Sequence, residues 1–131
     1  MAEKLIHSTI TEKIIQSFFI VSKTLQNGLS TDFYRNALAI EFEQNNLTVI
    51  KNHPVELKYR DIKIGELKAD FLVNESVLVM VVNVESINKS LEESSKLLLR
   101  NSEYEICMLL NFSGENEYKR LIFSNDYKTK N

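Results

Sequence analysis

Apolar residues recur at helical spacing through the first part of the chain. The segment Thr9-Ile10-Thr11-Glu12 has the spacing of a capping box, and Asn27-Gly28 favours a C-terminal stop. Between these signals the apolar positions stand three or four residues apart and are Ile10, Ile14, Phe18, Val21 and Leu25. This pattern predicts an amphipathic helix.

A second helix is predicted from Ser30 or Thr31 to about Asn45. Its inward positions share one helix face and are Phe33, Ala37, Leu38 and Phe42. The two helices together would form a helical segment over about residues 9–45.

After Asn45-Asn46 the pattern changes from a helical period to alternation. Apolar and polar positions alternate over residues 55–59, 62–64 and 67–71, which is typical of strands with one buried face. Val77–Val82 is apolar at every position, which predicts a central strand covered by helices on both sides. Turns are predicted at Arg60-Asp61, at Gly65 and over residues 74–76.

A third helix and two further strands complete the predicted order. Ser90-Leu91-Glu92-Glu93 has capping-box spacing, and the packing face of the helix is Leu91, Ser95, Leu98 and Leu99. Strands are predicted over residues 104–112 and 118–123, so the sheet and crossover helix would occupy about residues 48–123. The order α-α-β-β-β-β-α-β-β predicts an α/β (α+β) sandwich with a mixed central sheet flanked by helices.

Composition narrows the functional classes. A chain of 131 residues predicts one domain over residues 1–131. The net charge of −2 argues against a free-standing nucleic-acid binder, and three glycines are too few for a glycine-rich phosphate loop. Cys107 lies in an apolar run, which predicts a buried thiol.

The start of the chain, Met1 to His7, lacks the pattern of a signal peptide, and no apolar run is long enough for a membrane span. We therefore expect a cytoplasmic protein.

Short motifs follow one another in a characteristic order along most of the chain. The matching positions are Gly28, Tyr34, Arg35, Ala37-Leu38, Glu41, Tyr59, Gly65, Asp70, Leu109-Leu110-Asn111-Phe112 and Lys119-Arg120-Leu121-Ile122. Together they resemble the GxxExxY (GxxExxxR) family of the PD-(D/E)XK nuclease superfamily. The resemblance implies a restriction-endonuclease-like three-layer sandwich and metal-dependent cleavage of nucleic acid.

The same resemblance implies a site that this chain does not retain in full. In the superfamily an Asp ending one strand and a Glu on the next hold Mg²⁺, and a Lys two residues after the Glu orients the attacking water. Here the Asp is Asp70, but Met80 stands where the family has Glu and Val82 where it has Lys. Thr31 replaces the Glu of the naming motif, and the Gln of the following helix falls near Ser94. We expect no catalytic residue set and no cofactor.

Three interpretations of Asp70 remain open. It is a leftover polar residue at a strand end, or it binds a cation together with Glu41 or Glu66. In the third, a strand bulge turns Glu85 toward the site. Arg35 is expected either to form an ion pair with Glu41 or to contact phosphate. Candidate nucleic-acid contacts are Arg35, Lys58, Arg60 and Lys68.

The favoured function is therefore a degenerate nuclease-fold domain that acts as a non-catalytic binding or interaction module, as a homo-oligomer or with a protein partner. The alternative is a Mg²⁺-dependent nuclease acting on DNA or RNA, with a rearranged site around Asp70. A third class is a small-molecule binder in a pocket that Met80 and Val82 would make apolar.

Overall fold

The computed structural model describes residues 7–128. Its helices are α1 (Ser8–Leu25), α2 (Thr31–Gln44) and α3 (Lys89–Arg100), and a short 3-10 helix covers Asn125–Tyr127. The strands are β1 (Val49–Tyr59), β2 (Ile62–Val73), β3 (Val77–Val82), β4 (Ile106–Asn111) and β5 (Tyr118–Ile122). The expectation about a signal peptide falls mostly on residues 1–6, which lie outside the described residues.

The strands form one five-stranded mixed sheet in the order β1-β2-β3-β4-β5. Strands β3 and β4 are parallel and are joined by α3, while the other neighbours are antiparallel. The predicted crossover unit between two buried strands is thus confirmed. Helices α1 and α2 cover one face of the sheet and α3 covers the other. This α+β sandwich confirms the predicted fold class and is consistent with a restriction-endonuclease-like fold.

Strand β3 lies at the centre of both apolar layers. Val77, Val79 and Val81 pack in the cluster that contains α1 and α2 residues. Leu78, Met80 and Val82 alternate with them and pack in the cluster that contains α3 residues. The prediction that this run is covered on both faces is confirmed, because both sets of side chains are wholly or partly removed from water.

The prediction of four strands before the crossover helix is wrong, because Gly65 does not end a strand. Residues Ile62–Val73 form one continuous strand in which Gly65 pairs with Leu57 of β1. The pairing passes from Leu57 with Gly65 to Lys58 with Lys63, so Ile64 is an extra residue and forms a bulge on β2 itself, next to Gly65.

Both predicted capping boxes are also wrong. Helix α1 has His7 as its N-cap, and Thr11 Oγ1 donates to the Ser8 carbonyl at 3.1 Å. Helix α3 has Asn88 as its N-cap, and its Oδ1 accepts the Leu91 N–H at 2.8 Å. In each case the helix starts earlier than the Thr or Ser that the spacing selected, and asparagine is itself a preferred cap.

Helix α2 is rotated relative to its predicted face. Phe33 is 58% exposed, whereas its neighbour Tyr34 is fully buried. Tyr34, Leu38 and Phe42 are four positions apart and form the buried stripe. The hydroxyl of Tyr34 donates to the Gln26 carbonyl at 2.5 Å, so burial of this residue also closes the connection between α1 and α2.

Candidate functional site

Strands β2 and β3 separate at Asp70. Their register runs from Val73 opposite Val77 to Phe71 opposite Val79, and the next pair would be Asp70 and Met80. Instead, Asp70 Oδ2 accepts the Val81 N–H at 2.6 Å. A side-chain carboxylate thus occupies the place of a backbone carbonyl, and the two strands part at this point.

The alternation of β2 also changes at Asp70. Ala69 packs in the cluster on the α3 side, whereas Phe71, two positions later, packs in the cluster on the α1–α2 side. On a regular strand both would share one face. Asn52, which falls opposite Asp70 on β1, has φ of 54°, a left-handed conformation that breaks the strand's regularity. The two irregularities together turn Asp70 toward α2.

Asp70 lines a polar cavity of about 320 Å³ between α2 and the β1–β2 pair, which we call the α2 cleft. Its lining residues are Asp32, Arg35, Asn36, Lys51, Asn52, Asp70 and Phe71. Arg35 Nη2 lies 2.6 Å from Asp32 Oδ1, and Arg35 Nε lies 3.6 Å from Asp70 Oδ1. One guanidinium is therefore shared between two carboxylates.

Burial raises the pKa of the Asp70 carboxyl above its ordinary value. The Val81 N–H and the Arg35 guanidinium oppose this shift in the pKa, and the negative charge of Asp32 adds to it. Burial prevails because Arg35 makes its shorter contact with Asp32 rather than with Asp70. A raised pKa makes this carboxyl a weaker ligand for a metal ion, since metal binding requires the ionised form.

The two carboxylates predicted to join Asp70 lie elsewhere. Glu66 Oε2 accepts a hydrogen bond from Lys63 Nζ at 2.9 Å. It precedes Asp70 by four positions on β2, which corresponds to about 13 Å along a strand. Glu41 follows Arg35 by six positions on α2, which places it about 120° around the helix from Arg35.

These positions do not fit a Mg²⁺ site at Asp70. Within residues 7–128 no group of three His, Cys, Asp or Glu side chains is placed to hold one metal ion. The ion pair expected between Arg35 and Glu41 is wrong, because Arg35 pairs with Asp32 and Asp70. The bulge hypothesis for Glu85 is also wrong, because β3 ends at Val82 and Glu85 lies in the bend that follows.

Met80 and Val82 lie on the other face of the sheet. Both pack in the apolar cluster on the α3 side, and Met80 lines an open cavity of about 200 Å³, which we call the α3 cavity. Its lining residues are Leu67, Lys68, Met80, Leu91, Ser94, Ser95 and Leu98. The structure thus brings Asp70 and Arg35 together in one place and Met80 and Ser94 together in another.

The predicted nucleic-acid contacts do not form one basic patch. Lys58 Nζ lies 3.7 Å from Glu56 Oε1, and the Arg60 guanidinium lies over the ring of Tyr59 at 5.7 Å. Lys68 borders the α3 cavity, whereas Arg35 lies in the α2 cleft. The four cations are therefore distributed over different surfaces.

Four polar lining residues of the α2 cleft were missed in the sequence: Asp32, Asn36, Lys51 and Asn52. Asp32 stands three positions before Arg35, and this helical ion-pair spacing could have identified it. Lys51 and Asn52 gave no such signal, because the predicted strand began only at residue 55 whereas β1 begins at Val49.

Cys107 is fully buried, as its apolar surroundings predicted. Burial raises the pKa of its thiol to about 12, and the charge of Asp70 contributes to the same shift. A thiol with this pKa is not a nucleophile at neutral pH.

Comparison with known proteins gave one family. The family model described as the PD-(D/E)XK nuclease superfamily matches residues 8–121, which is most of the chain. Neither the curated proteins nor the solved structures gave a match. No helix within residues 7–128 has both the length and the apolar character needed to cross a membrane.

Proposed function

Because this chain belongs to the PD-(D/E)XK nuclease superfamily, we propose that it is a GxxExxY-type member that has lost nuclease activity. It acts as a non-catalytic binding or interaction module. The observation that carries this proposal is the placement of Met80 and Val82, which stand at the motif positions for Glu and Lys. Both pack in an apolar cluster on the sheet face opposite the α2 cleft.

The state of Asp70 supports the same proposal. One of its oxygens accepts the Val81 N–H at 2.6 Å, and the other lies 3.6 Å from Arg35 Nε. Both oxygens therefore have partners within the protein. The raised pKa of Asp70 further lowers its value as a metal ligand.

The alternative is a Mg²⁺-dependent nuclease with a rearranged site around Asp70. The observation that favours it is that Asp32 and Asp70 line the same cleft, on either side of Arg35. In that case the second carboxylate would be Asp32 rather than Glu41 or Glu66. Arg35 would have to leave its position between the two carboxylates before a cation entered.

Cleavage assays distinguish the two functions. Supercoiled plasmid, single-stranded DNA and RNA are incubated with the protein and Mg²⁺ or Mn²⁺. The matched control is Asp70→Asn, which removes the charge and keeps an oxygen that accepts the Val81 N–H. We expect no metal-dependent cleavage above that of the control. Cleavage by the wild type that is lost in Asp70→Asn would overturn the proposal.

Thermal unfolding provides an independent measurement. A ligand that binds only the folded state raises Tm with its concentration. We expect Mg²⁺ to change Tm equally in the wild type and in Asp70→Asn. A rise confined to the wild type would support the alternative nuclease. The proposed homo-oligomer or protein partner is tested separately by light scattering, where a monomer at micromolar concentration would remove the homo-oligomer.

A further inference from the structure

The α3 cavity contains two positions at which the chain departs from the family motif. Met80 stands at the position of the motif Glu, and Ser94 falls near the position of the Gln on the following helix. Both line this one cavity, together with Leu67, Leu91 and Leu98. A region expected to be polar has therefore become a mainly apolar cavity between β2, β3 and α3.

The cavity has one cationic residue at its border. Lys68 lines it and is exposed, and within residues 7–128 no carboxylate lies within salt-bridge distance of its Nζ. The neighbouring Glu66 is hydrogen-bonded to Lys63 at 2.9 Å and has only a weaker charge interaction with Lys68. The ammonium of Lys68 is thus available to an anionic group of a ligand, and the Ser94 hydroxyl offers a further hydrogen-bond donor.

We propose that the α3 cavity binds a small amphiphile that carries a single carboxylate. Its apolar body lies against Met80, Leu91 and Leu98, and its carboxylate lies toward Lys68. An apolar cavity of about 150 Å³ can hold benzene, so a volume of about 200 Å³ suits one aromatic ring or a short aliphatic chain. This inference rests on the proposed loss of nuclease function and names the class of ligand that the module binds.

The experiment compares three probes with the same chain length and different head groups: octanoate, octan-1-ol and octylammonium. Binding to the full chain is followed by isothermal titration calorimetry and by backbone amide NMR shifts. We expect octanoate to bind more tightly than octan-1-ol, and octylammonium to bind most weakly. The shifts should centre on β3 and on the α3 face that carries Leu91 and Leu98.

Two variants test the two parts of the site. Lys68→Gln should weaken octanoate about two- to five-fold, as expected for an exposed ion pair, and leave octan-1-ol unchanged. Ser94→Leu fills the cavity from an exposed position, so it should abolish binding of both probes without affecting folding. The matched control is Ser86→Leu, the same change at an exposed serine outside the cavity, which should bind as the wild type does.

Three results would overturn the inference: no octanoate binding, octanoate binding that survives Ser94→Leu, or equal affinities for octanoate and octylammonium. The cleavage assay separates its failure from that of the proposed function. Absent binding with absent cleavage rejects only the carboxylate ligand. Metal-dependent cleavage that is lost in Asp70→Asn rejects the non-catalytic module.

Discussion

The α2 cleft and the α3 cavity lie on opposite faces of the same sheet and differ in almost every physical property. The cleft holds two carboxylates and one guanidinium around Asp70, whereas the cavity is lined mainly by leucine and methionine around Met80. Asp70 and Met80 lie on neighbouring strands, but the change of alternation at Asp70 places their side chains on opposite faces of the sheet. The comparison shows that motif positions on neighbouring strands can lie on different faces of the sheet when one strand changes its alternation.

The largest effect is expected from returning the motif charges to the apolar face. Met80→Glu with Val82→Lys would place a carboxylate and an ammonium among apolar side chains on the α3 side. Desolvation of both groups should lower the free energy of unfolding by about 2–4 kcal/mol. Urea denaturation measures the loss.

The matched control is Ile62→Glu with Ile64→Lys in the β1–β2 hairpin, where the two side chains are 69% and 66% exposed. It should change the free energy of unfolding by less than about 0.5 kcal/mol. If the first double variant is instead as stable as the wild type and Mg²⁺ raises its Tm, the introduced residues form a metal site. The conclusion that positions 80 and 82 face away from Asp70 would then be wrong.

A smaller effect should come from the residue that anchors α2 beside the cleft. Tyr34 is fully buried, and its hydroxyl donates to the Gln26 carbonyl at 2.5 Å and accepts the Leu29 N–H at 3.2 Å. Tyr34→Phe leaves both backbone groups without this partner. We expect a loss of about 1–2 kcal/mol in the free energy of unfolding.

Octanoate binding measures whether this loss is confined to the α2 side. The affinity of Tyr34→Phe for octanoate should equal that of the wild type, because the α3 cavity lies across the sheet. Tyr127→Phe serves as the control, since Tyr127 is 76% exposed. Equal destabilisation by the two variants would show that the Tyr34 hydrogen bonds do not fix α2.

The sequence predicted those features that depend on local pattern. The uninterrupted apolar run Val77–Val82 identified the central strand, and the helix after it identified the parallel crossover to β4. Asn88 was missed as a cap because the Ser90 spacing also satisfied a known motif. Phe33 and Tyr34 differ by only 100° around α2, so a mixed polar and apolar helix did not fix which of them is buried.

The site was less predictable because it depends on contacts between distant residues. The turn of Asp70 toward α2 arises from Asn52 on the partner strand and from the Val81 N–H, neither of which is near Asp70 in sequence. A regular period of two would have placed Asp70 on the same face as Met80. The motif therefore singled out Asp70, but it did not predict the cleft in which Asp70 lies.

The pH dependence of stability tests the electrostatic state of the cleft. The pKa of Asp70 is raised in the folded protein, so the folded state binds more protons between the ordinary aspartate pKa and this raised value. The stabilising contribution of Asp70 is complete below that window and falls as pH rises through it. Asp70→Asn removes the titration, so the stability of the wild type relative to this variant should decline over the same window.

Urea unfolding at several pH values measures this difference. Asp61→Asn in the β1–β2 turn is the control, because asparagine also tolerates the positive φ of 66° found there. Relative stability of the wild type that rises with pH in this window would mean that Arg35 outweighs burial. The pKa of Asp70 in the folded protein would then lie below its ordinary value, because the ion pair with Arg35 would stabilise the ionised carboxylate.

The smallest effect is expected at Glu66, the carboxylate that the sequence placed with Asp70. Its hydrogen bond with Lys63 lowers the pKa of Glu66 and raises that of Lys63, but both groups are exposed. Glu66 is about 13 Å from Asp70 along the strand, beyond the Debye length of about 8 Å at physiological salt.

Glu66→Gln should therefore leave both Tm and the titration of Asp70 unchanged, whereas Asp32→Asn should lower the pKa of Asp70 by removing a nearby negative charge. NMR titration of the Asp70 carboxyl carbon in the two variants measures this contrast. If Glu66→Gln shifts the pKa of Asp70 and Asp32→Asn does not, Glu66 rather than Asp32 is the carboxylate next to Asp70 in the α2 cleft.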